Sequence, residues 1–201
     1  MTFPPLPARQ PDSPTLPLST PGAQRTTSEL SLVSQATEAA QRYRVIERLG
    51  LPTEAHPDFD EIARQLSERT GFRYGIVNLF LEGRQSFIGL HQPPPSSGYV
   101  ILGRTMSLDH GYCPEVVDRR KALPLPDVYA SPRFVGNPVL DAVNIRAYFG
   151  VPLISDDGIC IGTACVIDLE KRPQSDARRT QNTVKELVRE VMALPSGSSG
   201  H

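Results

Sequence analysis

The 201-residue chain carries 21 Lys plus Arg against 22 Asp plus Glu, a formal net charge of -1. It therefore lacks the clustered positive charge that affinity for a phosphate backbone requires, and nucleic acid is excluded as its main partner. The length suits one domain with tails. No stretch reaches the roughly 20 apolar residues that span a bilayer, and Met1 to Pro21 lacks the apolar centre of a signal peptide. A cytoplasmic protein with no membrane partner is expected, with Cys113, Cys160 and Cys165 as reduced thiols. These have no CxxC spacing, which argues against structural zinc. The densest basic run, Arg119-Arg120-Lys121 beside Asp118, reads as a solvated helix end.

Residues 1–26 form a tail. Pro4, Pro5, Pro7, Pro11, Pro14, Pro17 and Pro21 favour extended, solvated chain, either a disordered leader or a docking peptide for a proline-reading domain. The domain itself is placed over residues 27–194. Leu30, Val33, Ala36, Ala40, Tyr43 and Ile46 predict an amphipathic helix, capped by Ser28 and ended by Gly50. A second helix starts near Asp58, with Phe59, Ile62, Ala63 and Leu66 on one face and Gly71 as its stop.

Tyr74–Leu81 and Gln85–His91 read as a hairpin joined through Glu82-Gly83-Arg84. Gln92 to Thr105 is a loop rich in Pro and Ser. Pro114 to Arg120 makes one or two helical turns, and Ala122 to Val128 is a strand that Pro124 and Pro126 confine to an edge. Residues 129–144 are irregular. Arg146–Ser155 and Ile159–Leu169 form a strand pair around Asp156-Asp157-Gly158, with Gly158 at positive φ. A final helix over Ser175–Leu194 presents Val184, Leu187, Val188 and Val191, and residues 195–201 are a Gly/Ser-rich tail. This order predicts an α+β fold, a central antiparallel sheet of about six strands with helices packed on one face. Its broken middle is the natural place for a pocket.

Three segments in the later half carry a resemblance: Asp127-Val-Tyr-Ala-Ser-Pro-Arg-Phe134 with Asn137-Pro138; Ile145-Arg-Ala-Tyr-Phe-Gly-Val-Pro-Leu153; and Asp157-Gly158, Ile161-Gly162-Thr163 and Cys165-Val-Ile-Asp168. Upstream, Asp60 and its helix, Arg84-Gln85-Ser86-Phe87 and Asp109-His-Gly-Tyr-Cys113 add to it. In this order and spacing the chain resembles bacterial GAF domains over roughly Gln41 to Pro173. The resemblance implies a six-stranded antiparallel sheet and a small-molecule site between the sheet and the middle helix and loops. Ligands in that family include cyclic nucleotides, bilins, haem, small acids and amino-acid derivatives. Other members bind nothing and dimerise through terminal helices.

Several side chains are candidates for chemistry. His110 and Cys113 lie three apart before the Pro114 turn; an imidazole or a thiolate ligates haem iron, and the plainer role for both is packing. The resemblance extends to GAF proteins that reduce free methionine sulfoxide, and Cys113 matches one cysteine position of that pattern. The nucleophilic position, near Asp141 to Asn144, has no cysteine. Cys160 and Cys165, five apart on one strand, are predicted to point to opposite faces, which argues against a dithiol relay. Bilin attachment would want cysteine followed directly by histidine, which is not the order here.

Asp109, Asp127, Asp141 and Asp168 read as structural acids, with Asp168 tying down the turn after its strand. Tyr112, Phe134, Tyr148 and Phe149 supply aromatic surface for a flat ligand or a plain core. Only one of Tyr148 and Phe149 can face the pocket. Arg146 shares the face of Tyr148 and is placed to pair with an anionic ligand or to face solvent.

The expected ligand-binding set is His110, Tyr112, Cys113, Phe134, Arg146 and Tyr148, with no catalytic residue assigned. Three functions stay open. The first is a small-molecule-binding sensor or regulatory module that signals through a homodimer or a partner protein. The second is a haem protein using His110 or Cys113 as axial ligand. The third is a non-binding dimerisation module built on the helices at Ser28–Leu49 and Ser175–Leu194.

Overall fold

The computed structural model describes residues 36–134 and 143–193. The predicted tails, the start of the first helix at Ser28 with Leu30 and Val33, Asn137-Pro138, Asp141 and Leu194 lie outside the described residues.

Helix α1 is described over 36–48 and ends at Gly50 (φ 61°). Helix α2 spans Pro57–Thr70; His56 caps it by accepting from Asp58 N, Pro57 occupies its first turn, and Gly71 closes it in the left-handed region at φ 73°. Its predicted face, Phe59, Ile62, Ala63 and Leu66, is buried.

Strands β1 (Tyr74–Leu81) and β2 (Arg84–His91) form the predicted hairpin. They are followed by a short β3 (Thr105–Met106), helix α3 (Cys113–Arg119) and β4 (Leu123–Leu125). Strands β5 (Ala147–Ile154) and β6 (Cys160–Asp168) precede the closing helix α4 (Ala177–Ala193). The two-residue β3 begins at Thr105, the last residue of the region read from sequence as a loop. It pairs only with Gln85 and Ser86, too short a match for periodicity to register.

The sheet order is β3-β2-β1-β6-β5-β4, and every neighbouring pair is antiparallel. β4, which contains Pro124, sits at an edge, where a missing amide donor breaks no ladder. Helices α1, α2 and α4 cover one face. Val45, Ile46, Phe59, Ile62, Leu66, Val184, Leu187 and Val191 pack there on Val77, Leu79, Phe149, Val151 and Val166.

Helix α2 lies directly on the backbone of the hairpin. A Cβ on Gly75 would come within 2.0 Å of Ala63 O, and one on Gly89 within 2.2 Å of Phe59 O. α3 and the irregular connections cover the other face, around Tyr74, Ile76, Phe87, Tyr112, Val116 and Tyr148. Tyr148 and Phe149 are both buried, one in each layer, as their adjacency on a strand requires.

One expectation is corrected by the register. Leu153 pairs with Gly162, yet Ile154 pairs with Cys160, so Ile161 is an extra residue in β6. This bulge turns Ile161 toward the helices and places Cys160 on the same face as Cys165. Simple alternation over five residues would have put them on opposite faces.

At the end of β6, Asp168 is fully buried. It accepts from Leu169 N at 2.8 Å and Glu170 N at 3.2 Å, and pairs with Arg73 and Arg172. It is the turn anchor that the sequence suggested. Asp127, by contrast, has a partner that the sequence did not reveal: its carboxylate meets Arg146 at 3.2 Å and accepts from Tyr129 N.

Candidate functional site

On the face opposite the long helices, a cavity of about 30 Å³ lies between the sheet, the start of α3 and the connection before it. Ile76, Phe87, Ile145 and Ile167 give it an apolar floor, and Leu102 and Met106 lie along its side. His110, Tyr112, Cys113, Tyr148, Cys165 and Gln85 supply its polar atoms. The side wall is fixed to the scaffold by Arg104, which makes a two-pronged contact with Asp60 of α2 at 2.8 and 2.9 Å. Asp60 also accepts from Leu90 N of β2, so one carboxylate joins helix, sheet and loop.

Beneath the cavity runs a buried polar network. Asn78 on β1 donates to Gln85 Oε1 at 2.7 Å. Gln85 in turn donates to the carbonyls of Ser107 (2.7 Å) and His110 (2.8 Å), fixing the turn that leads into α3. Asn78 and Thr163 face each other in register across β1 and β6. Asn78 Oδ1, Thr163 Oγ1 and the Tyr112 hydroxyl are buried and find no hydrogen-bond partner among the described residues. A buried polar atom left unpaired costs about 1–3 kcal/mol. Tyr112 lines the cavity, so its hydroxyl favours a polar group of a ligand, or water, there, while Asn78 and Thr163 do not line it and stand beside the Cys113 thiol.

Cys113, the first residue of α3, is the centre of this cluster. Its Sγ lies 3.5 Å from the Tyr148 hydroxyl and 3.8 Å from Cys165 Sγ. The Cys165 thiol, then Thr163, Tyr148 and Asn78, hold the Cys113 thiol below its ordinary value at about 6, against burial, which raises it. Thr163 Oγ1 acts in this way although it makes no hydrogen bond of normal length. Cys165, as donor to Cys113, is pushed well above its ordinary value, with burial adding to the effect. Burial likewise raises Tyr148 and Tyr112.

Of the six residues expected at the site, four meet here: His110, Tyr112, Cys113 and Tyr148. Phe134 stands one layer back, edge-on to Tyr112 at 5.6 Å between ring centres. Arg146 does not line the cavity; it is engaged by Asp127 and stacks over Tyr129 at 4.9 Å. Asn78, Gln85, Thr163 and Cys165 were not expected. The signal for two of them was present: Asn78 and Thr163 are polar interruptions in strands that are otherwise almost wholly apolar and buried.

A haem would take its axial donor from His110 or Cys113. A cavity of about 30 Å³ has room for about two waters and falls tenfold short of the roughly 300 Å³ at which ligand clefts begin. The residues do not fit a haem in this conformation. A larger groove of about 140 Å³ lies between α1, α3 and the start of β6. Three of its four charged side chains are already engaged: Arg42 contacts Glu38 and Cys160 O, and Arg120 donates to Gly158 O. The smaller cavity is the better candidate because the unpaired Tyr112 hydroxyl and the contacting thiols of Cys113 and Cys165 lie on its wall.

The model of the family described as "GAF domain" matches residues 54–194. The chain belongs to the GAF domain family. No curated protein matches it in sequence. Among solved structures, this GAF domain is similar to a far-red cyanobacteriochrome photoreceptor. They are 14% identical with a TM-score of 0.51, over 85% of this chain and 97% of that one. It is also similar to the PixJ GAF domain of Thermosynechococcus elongatus in its blue-light absorbing form, at 12% identity and a TM-score of 0.50, over 68% of this chain and 83% of that one. At such identities the likeness is one of fold. Among the described residues no helix is long and apolar enough to cross a membrane, and no group of three or more His, Cys, Asp or Glu is placed to hold a metal ion.

Proposed function

We propose that this GAF domain is a sensor or regulatory module that binds a small molecule between the sheet and α3. The observation that carries this reading is a cavity with an apolar floor whose wall holds the buried, unpaired Tyr112 hydroxyl and the Cys113 thiol, with Asn78 and Thr163 beside that thiol. A compact ligand with one polar end and an apolar body answers both features. The Leu102–Met106 wall has to move outward to admit it. Binding would then shift the turn at Ser107–His110 and the start of α3, which Gln85 couples to the sheet. The output is a change in contact with a second copy or a partner protein.

The test is a melting screen against small polar metabolites. A true ligand raises the melting temperature in proportion to the logarithm of its concentration. The shift should disappear in Leu102→Trp, which fills the cavity from its side wall, and weaken in Tyr112→Phe, which removes the unpaired hydroxyl from that wall. A ligand whose effect is unchanged in both variants binds elsewhere and rejects this site. A pocket that admits nothing leaves the dimerisation reading.

A further inference from the structure

Cys113 and Cys165 come from elements 52 residues apart in sequence, and the fold brings their sulfurs to 3.8 Å at the cavity. Both thiols are buried and free, and among the described residues no Lys or Arg lines the cavity beside them. Cys160, although on the same face of β6, points its Sγ at Gly162 O instead. We propose that Cys113 and Cys165 form a reversible redox pair, oxidised to a disulfide by hydrogen peroxide entering the cavity. This rests on the reading above only in that the same cavity must admit a small molecule.

Three observations carry it. First, the sulfurs are in contact, and closing from 3.8 Å to the bonded separation of about 2.05 Å needs a modest movement of one short helix. Second, the room beside them, about 30 Å³, matches about two waters. That size admits hydrogen peroxide without any movement of the Leu102–Met106 wall. Third, polar side chains face the sulfur of Cys113: the Tyr148 hydroxyl at 3.5 Å, with Asn78 and Thr163 nearby. Such groups stabilise the thiolate, which is the nucleophile in peroxide reduction.

The step balances. The Cys113 thiolate attacks one peroxide oxygen, the O–O bond breaks, and Cys113 becomes a sulfenic acid. The departing hydroxide takes the proton that Cys113 released and leaves as water. The sulfur of Cys165 then attacks Cys113 Sγ and the S–O bond breaks. That hydroxide takes the Cys165 proton as a second water. Two thiols lose two electrons and one peroxide becomes two waters. The disulfide would draw α3 onto β6 and close the cavity, so oxidation and ligand binding would exclude each other.

The experiment treats the whole chain with hydrogen peroxide at low molar excess and counts free thiols after unfolding in a blocking reagent. The expected count falls from three to one, with intact mass lower by two hydrogens, and dithiothreitol restores both. Trypsin releases Thr105–Arg119, which holds Cys113, and Ala147–Lys171, which holds Cys160 and Cys165. The two peptides should be joined. The joint should persist in Cys160→Ser and vanish in Cys165→Ser.

Three free thiols after treatment, irreversible oxidation of Cys113 without a cross-link, or a cross-link lost in Cys160→Ser would each overturn the proposal. Fragmenting the joined peptides of the unaltered chain between Cys160 and Cys165 assigns the bond directly, so a variant that fails to fold does not leave the question open. The melting screen run on Cys165→Ser, which cannot form the bond, separates a failure of the redox pair from a failure of ligand binding.

Discussion

The ring of Tyr148 lies across Gly150, two residues further along the same face of β5. A Cβ on Gly150 would stand 2.1 Å from the Tyr148 hydroxyl oxygen and 2.7 Å from the ring carbon that bears it. The missing side chain is what lets the tyrosine lie flat, and lying flat is what brings its hydroxyl to Cys113.

Gly150→Ala is therefore expected to push Tyr148 out of place at a cost of about 1–3 kcal/mol, the usual price of an overpacked core. Its side chain has somewhere to go, toward the cavity. Gly89→Ala meets the backbone of α2 at Phe59 O, which cannot rotate away, and should cost at least about 3 kcal/mol. Urea unfolding of the two variants checks the order. A Gly89→Ala protein as stable as Gly150→Ala would contradict the close approach of α2 to the hairpin.

Gln85 is a polar side chain at 1% exposure, with all three of its hydrogen bonds inside the protein. Gln85→Leu keeps most of the volume but strands the Asn78 amide and the His110 carbonyl, while Ser107 O still accepts from His110 N. A loss of about 2–6 kcal/mol is expected, two unpaired groups at about 1–3 kcal/mol each. Amide exchange should also quicken across Ser107–Cys113, because nothing else described here ties the carbonyls of Ser107 and His110 to the sheet. Unchanged exchange in that turn would remove Gln85 from its positioning role.

The Cys113 thiol sits at about 6 against an ordinary value of 9.0. A group lowered by folding adds stability that is complete above its unfolded value and is lost as pH falls through its folded value. The difference in unfolding free energy between the unaltered protein and Cys113→Ser should therefore grow from pH 6 to pH 9. Cys165, shifted upward, works against stability only above its own unfolded value. Thiolate absorbance in the ultraviolet should rise near pH 6 in the unaltered chain and not in Cys113→Ser. A stability difference that stays flat over that range would show that Cys113 remains a neutral thiol.

Much of the architecture was readable from the sequence because it depends on local signals. The apolar spacing of Phe59, Ile62 and Leu66 marks α2, and Gly71 and Gly158 mark its end and a hairpin turn. The prolines around β4 told that it must be an edge. His110, Tyr112, Cys113 and Tyr148 were placed at one site through the order of family motifs, and they meet there.

What the sequence determined by itself was the list of elements, their faces and the family pattern, since each follows from periodicity and turn chemistry within a few residues. Only the tertiary structure decided which side chains share the cavity. One extra residue, Ile161, reverses the face of Cys160. Arg146 is drawn off to Asp127, and Cys165 arrives beside Cys113 from 52 positions away. Register, bulges and long-range pairing come from the packing of two layers against one sheet, and no window of local sequence contains that information.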